Sequence, residues 1–453
     1  MSSNMQVRYL NSAAIVIEDN GDKVLCDPWL VDGAYYGSWC HYPPPDFTPE
    51  DFNDVDYIYI SHIHPDHFHP PTLKKMDSEI PVVIHDYANN YLKHEIEKLG
   101  FEVEELPHNE RVHLAGDIHI NILAADSCDP ELCGNYFGCN WYGGNTTGDG
   151  SAQVDTMAAI DNGEYTIVDM NDCPYPMVEG SMREIKNSYE DIDLVSHQYA
   201  AAQFYPQSMT DYTHEQKIEA KQEVILEKQR KAKEFVKFFD ADYYMPFAGE
   251  YVLAGKLAGL NKYTANPPRI QAYNYFTQNL DPKEHQCVFL NSNEFIDLKT
   301  GEYSKPFEPI DPVEQHQYIE KNLADRKFTY EYDDTPSLDE LISYLPDAYT
   351  NLEEKRDNWG FESKTTVLVS LKNESYAEVS MNGDGYDIIK SPDLDSYNGY
   401  VKFDVDPRLL KRIFKGPAHA HWADAKIGSH LGIAKQPDIY ERGLYEAMSA
   451  FHT

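Results

Sequence analysis

Apolar residues alternate with polar ones, or gather in short unbroken runs, through most of the first 170 residues. Such runs cover residues 7–10, 13–17, 23–26, 55–60, 80–84, 101–106, 111–114 and 117–124. Short runs like these, bounded by Gly, Pro, Asn and Asp, predict strands. Asn20-Gly21 predicts a tight turn between the second and third. Helical spacing appears over 71–76 and over 86–99, the latter closed by Gly100. Strands over 154–160 and 164–168, split by the turn Asp161-Asn162-Gly163, and over 191–195 continue the rhythm. One long helix is predicted over 214–240, with Ile218, Ile225, Phe235, Val236 and Phe239 on its buried face. A strand over 241–245 follows it. Interleaved strands and helices of this kind predict an α/β layered domain.

From about residue 300 the pattern changes. Acidic stretches surround apolar runs over 365–371, 376–381 and 400–403, read as antiparallel strands, and a helix is predicted over 407–414. A boundary near 310 therefore divides the chain into an α/β domain over 1–310 and a smaller α+β region over 311–453. No internal repeat is visible.

Composition narrows the class of protein. With 453 residues, 42% hydrophobic and 13% aromatic, the chain is globular and long enough for two domains. No apolar stretch approaches the roughly 20 residues that span a bilayer. The start, Met1-Ser2-Ser3-Asn4-Met5, carries neither a basic nor a hydrophobic segment, so the expectation is a cytoplasmic protein with no membrane partner. Lys plus Arg number 38 against 76 Asp plus Glu, a formal charge of −38. A surface this acidic repels phosphate backbones and argues against nucleic acid as a partner. Seven cysteines, an odd count, predict reduced thiols.

The chemistry concentrates in Ser61-His62-Ile63-His64-Pro65-Asp66-His67, directly after the run Val55-Asp56-Tyr57-Ile58-Tyr59-Ile60. His62 and His64 are two apart, so on extended backbone they point the same way. Asp66 and His67 follow on a turn that Pro65 stiffens and can face a second ion beside the first. Imidazoles with a carboxylate suit zinc or iron. Surface loop histidines are the plain alternative, and the spacing directly after a buried strand argues against them. Asp27, at a strand end before Pro28, is placed to orient a metal-bound histidine. The aromatic and Pro-rich segment from Tyr35 to Pro45 is suited to walling a pocket or to packed cover.

These segments resemble the metallo-β-lactamase fold, and within it the catalytic part of CMP-N-acetylneuraminate hydroxylase and its bacterial relatives. The likeness rests on Cys26-Asp27-Pro28-Trp29-Leu30, the His62–His67 motif with Pro71-Thr72-Leu73, Asp172-Cys173, Tyr205-Pro206 and Pro246-Phe247-Ala248-Gly249. It continues through Gly416 to Trp422, Ile427-Gly428-Ser429-His430 and Tyr440-Glu441-Arg442-Gly443-Leu444. The resemblance implies an αββα sandwich with two metal ions at one edge of the facing sheets. His62 and His64 would hold the first ion, Asp66 and His67 the second, and Asp172 would bridge them, with Asp169 in reserve. Where the fold commonly has a third histidine for the first ion, the aligned residue is Asp129, and His197 lies where the last histidine is expected. The sialic acid hydroxylases also carry a Rieske domain, whose Cys-x-His and Cys-x-x-His pairs do not occur here. Cys128, Cys133, Cys139 and Cys173 fit no cluster spacing and read as plain thiols.

Two functions follow from the resemblance. One is a non-heme, di-iron oxygenase that hydroxylates a small molecule such as an amino sugar or its nucleotide conjugate, with electrons from a separate ferredoxin or reductase. A His-His-Asp set resembles the facial triad of iron oxygenases, and the extension of the resemblance into the tail favours this reading, whereas the missing Rieske domain favours the next. The other is a binuclear zinc hydrolase of a phosphodiester, ester or amide. In the tail, His419, His421, His430, Trp422 and Arg442 are candidates either to approach the site or to pack.

Overall fold

A computed structural model describes residues 4–87, 89–124, 155–173 and 178–453. Two seven-stranded sheets face one another. The first runs, in spatial order, Glu294–Asp297, Met5–Asn11, Ala14–Asp19, Asp22–Cys26, Tyr57–Tyr59, Val82–His85 and Val103–Leu106. The second runs Gln286–Cys287, Tyr243–Phe247, Leu194–Gln198, Thr166–Asp169, Thr156–Asp161, Ile118–Ala124 and Arg111–Ala115. Alternation along these strands sends one set of side chains inward. Val7, Ile15, Ile17, Val24, Ile120, Ile122, Ile160, Ile167 and Leu194 fuse into one core between the sheets, each fully buried.

The outer faces are covered by helices. Leu73, Leu92 and Ile96 close the first sheet's far side with Ile58 and Val82. Met182 and Ile185 of the helix Glu179–Ser188, with Phe235 and Phe239 of the helix His214–Phe239, close that of the second. The αββα sandwich implied by the resemblance is present. The long helix begins at Thr213, whose hydroxyl accepts from Gln216 N–H while the Gln216 side chain returns to the Thr213 N–H. Helical residues over 86–99 are fewer than expected, and the helix is Tyr91–Glu97. Asp86 N–H instead bonds the Leu106 carbonyl (2.9 Å), which prolongs the strand.

The region beyond the sandwich has its own five-stranded sheet, Tyr386–Lys390, Ser375–Val379, Thr366–Ser370, Tyr400–Asp404 and Gly432–Gln436. One expectation is corrected: Tyr400–Asp404 runs parallel to Thr366–Ser370, not antiparallel. Two hairpin steps place 375–379 and 386–390 on one side of 366–370, so the chain crosses over to reach the other side. The helix Leu338–Trp359 is also absent from the expected pattern, because Pro346 and flanking acids read as linker. Leu341, Leu345, Ala348 and Leu352 nevertheless form a fully buried stripe on this sheet, and tertiary burial outweighs the proline. Among the described residues no helix is long and apolar enough to cross a membrane.

His430 sits at the seam between the two parts. Its Nδ1 accepts from the Tyr330 hydroxyl (3.0 Å) and its Nε2 donates to the Tyr35 carbonyl (2.8 Å), a pattern only neutral imidazole supports. Burial pushes its pKa down to about 4. With the folded value below the unfolded one, its contribution to stability is fully present above pH 6.5 and is lost as pH falls toward 4. Melting temperature should therefore decline over that window, and His430→Gln should flatten the decline, checked by thermal melts at stepped pH.

Candidate metal centre

The parallel strands Asp22–Cys26, Tyr57–Tyr59, Thr166–Asp169 and Leu194–Gln198 end at one edge of the sandwich. Ligand groups gather beyond the carboxyl ends of such strands. Asp27 lies there, fully buried, and accepts from the Ser61 N–H (2.8 Å), the Ser61 hydroxyl (2.7 Å) and His67 Nδ1 (2.8 Å). These bonds fix the His67 ring with Nδ1 toward Asp27 and Nε2 toward the site. The expected orienting role of Asp27 is thus visible in geometry.

His62 Nε2 lies 2.9 Å from His64 Nδ1, and 3.7 Å from Asp155 Oδ1. His62, His64 and Asp155 form one group whose donor atoms lie within 4.8 Å of each other, and His62, His67 and Asp172 form a second. His67 Nε2 is 3.5 Å from Asp172 Oδ2 and 3.8 Å from Asp66 Oδ2. Neither His67 Nε2 nor Asp172 Oδ1 has a hydrogen-bond partner, although both are buried. Buried polar atoms are normally paired, and a cation between these donors would satisfy both. The residues present fit a metal centre, and sharing His62 places its two donor groups side by side.

Electrostatics agree with that arrangement. Burial, with His67 and His64 beside it, holds His62 well below the ordinary histidine range, which leaves its lone pair free for a ligand. Burial alone would depress His67 too, but Asp27, Asp66 and Asp172 outweigh it and hold its pKa high. Asp172 is the reverse: burial pushes up, and the surrounding imidazoles of His67, His62 and His64 bring it below the usual carboxylate range. Asp155 is raised to about 7 by burial and by Asp172. Crowded carboxylates and imidazoles of this kind mark a functional edge.

The other expected residues fall as follows. Asp66 is 3% exposed, and its Oδ1 accepts from the Tyr35 hydroxyl (2.6 Å). Asp169 stays out of both donor groups; its Oδ1 accepts from the Ser196 hydroxyl (3.0 Å), and burial with Asp27 raises it to about 8. His197 lies outside them as well: Nε2 is 3.3 Å from the Cys173 carbonyl, and the ring packs on Phe235 at 4.1 Å. Asp129, Cys128, Cys133 and Cys139 lie outside the described residues. Cys26, Cys40, Cys173 and Cys287 form no disulfide with one another.

Asp155 was not anticipated. It precedes the strand Thr156–Asp161, which is antiparallel to Thr166–Asp169, so its start meets the edge where that neighbour ends. A carboxylate just ahead of an apolar run was the available signal. From the opposite side, Lys228 Nζ of the long helix is 3.3 Å from Gln198 Oε1, and Gln198 Nε2 donates to the Asp172 carbonyl (3.1 Å). The segment after Tyr35 serves both expected purposes. Trp39 stacks on Tyr251 (3.5 Å, 2°), while Tyr42, Pro43 and Pro44 line a cavity of about 270 Å³ that also takes in Glu250 and Arg269. In the tail, His419 is exposed, Trp422 packs with Nε1 bonded to the Phe451 carbonyl (3.1 Å), and the side chain of Arg442 lies outside the described set.

Residues 6–123 match the family model described as a beta-lactamase superfamily domain. Comparison with curated protein sequences finds no match. Among solved structures, the chain is similar to a possible metal-dependent hydrolase from Veillonella parvula DSM 2008, at 13% identity and a TM-score of 0.42, covering 64% of this chain and 98% of that one. It is similar to an isothiocyanate hydrolase from Delia radicum gut bacteria, at 13% identity and a TM-score of 0.44, with the same coverage of 64% and 98%. It is also similar to CmlA, a diiron beta-hydroxylase from Streptomyces venezuelae, at 14% identity and a TM-score of 0.39, covering 66% of this chain and 54% of that one.

Asp27→Asn keeps the shape but removes the charge that holds His67. Metal affinity is expected to fall roughly 10–100-fold, measured by equilibrium dialysis of the metal-free protein against zinc or ferrous ion.

Proposed function

We propose that the protein, whose residues 6–123 match a beta-lactamase superfamily domain, is a non-heme iron oxygenase acting on a small molecule. The observation that carries this reading is the first donor group, two imidazoles and a carboxylate from His62, His64 and Asp155. Three imidazoles select zinc in many hydrolytic sites, whereas the two-histidine, one-carboxylate set suits ferrous iron and leaves positions open. Asp66, His67 and Asp172 would hold a second ion, and their carboxylates would stabilise its higher oxidation state. Iron so held would supply the activation of dioxygen, and a separate reductase or ferredoxin would supply the electrons.

The chain's own residues prepare that chemistry. Asp27 fixes the His67 ring before any ion arrives. Neutral His62 offers a lone pair without first losing a proton. Complete burial of His62 and His67 limits water near the donors and so strengthens every charge interaction there. The substrate class is the one the resemblance implies, an amino sugar or its nucleotide conjugate.

The competing reading is a binuclear zinc hydrolase of a phosphodiester, ester or amide. Its support is the pair of carboxylates, Asp66 and Asp172, flanking one imidazole, an arrangement that suits a zinc pair as well.

Protein purified without added metal should contain iron by elemental analysis and turn over only with oxygen and a reductant. Zinc with full activity in anaerobic buffer would overturn the oxygenase. As a second check, Asp155→His should raise the zinc-to-iron ratio of the purified protein and abolish oxygen-dependent turnover.

A further inference from the structure

Tyr35 and Tyr36 are consecutive bulky residues with φ of 49° and 58°. Left-handed backbone is costly for such side chains and persists only where surrounding contacts over-determine it. Those contacts come from two sides. On one side is the metal edge, where the Tyr35 hydroxyl donates to Asp66 Oδ1 (2.6 Å). On the other is the C-terminal part of the chain. His430 Nε2 donates to the Tyr35 carbonyl (2.8 Å), and Tyr330 holds the other His430 nitrogen (3.0 Å). The His421 N–H donates to the Tyr36 hydroxyl (2.7 Å), and the Ser38 hydroxyl donates to the Gly428 carbonyl (2.9 Å). Gly428 is pressed so closely on Tyr35 that a Cβ there would lie 2.7 Å from the Tyr35 Cβ. Trp39 closes the remaining face of the Tyr35 ring, with centroids 4.4 Å apart.

A carboxylate free to rotate offers either oxygen or both. With Oδ1 engaged by Tyr35, Asp66 presents Oδ2 toward His67 Nε2, 3.8 Å away. Tyr35 is 2% exposed, and its hydroxyl, the donor in this bond, has Asp66 Oδ1 as its acceptor. We infer that the C-terminal domain positions the second half of the metal centre: Tyr35, clamped by His430 and Gly428, with its neighbour Tyr36 held by His421, is a positioning residue that sets the orientation of Asp66. This rests on the proposed reading of Asp66 as a metal ligand. It assigns the tail a part in the site beyond its own packing, although no tail side chain need touch the metal.

The test uses the full chain, freed of metal and titrated with zinc alone by calorimetry. Wild type should take up two ions. Tyr35→Phe removes one hydroxyl and little volume. It should leave the first ion unchanged and weaken the second roughly 10–100-fold. His430→Leu should weaken the second ion in the same selective way. Ile413→Val, in the C-terminal core and away from the clamp, should lower the melting temperature yet leave both affinities as in wild type. The clamp is overturned if Tyr35→Phe binds both ions with wild-type affinity, or if Ile413→Val weakens the second ion as much as His430→Leu does. Wild type binding fewer than two ions would overturn the two-metal reading and the clamp with it, an outcome distinct from a clamp failure on an intact pair.

Discussion

A carboxylate with no exposure at all must be paired, because an isolated buried charge is among the most destabilising features a fold can contain. Asp27 meets that requirement with three donors from a single turn, two from Ser61 and one from His67. The requirement ties the end of one strand to the loop after the next and turns the His67 ring edge-on to the site. The direction of Nε2 into the site is therefore a consequence of satisfying Asp27, and the geometry of that edge follows from a demand of folding. Glu250 shows the same logic elsewhere, taking the Tyr9 hydroxyl (2.7 Å), the Tyr199 hydroxyl (3.1 Å) and the Arg269 guanidinium.

What could be read from the sequence was what local spacing determines. His62, His64 and His67 are close in space because they are close in sequence on a strand end and turn. Asp27 was legible for a similar reason, since a strand that stops at a proline fixes where its last side chain goes. Asp155 was not, because its place depends on an antiparallel strand being inserted among parallel ones, and pairing direction leaves no mark on an apolar run. Asp172 and Asp169 differ by three residues, and only the turn after the strand decides that Asp172 faces His67.

The sandwich was legible in outline because period-two runs are a strong pattern. The C-terminal part was harder. Its longest helix, Leu338–Trp359, contains a proline and carries acids on its solvent side, so propensity points away from the structure while burial of four apolar positions decides it. The parallel return of Tyr400–Asp404 likewise follows from which edge of the sheet was still open. Both are effects of tertiary context, which neither composition nor periodicity carries.

The order of the groups along the chain has a consequence for biosynthesis. A ribosome delivers His62 to His67 early, whereas the edge strand Glu294–Asp297, which pairs with the very first strand, follows more than two hundred residues later. His421, Gly428 and His430 come later still. The edge that gathers the histidines is thus completed by segments synthesised long after them, so its final geometry depends on contacts made across most of the chain's length.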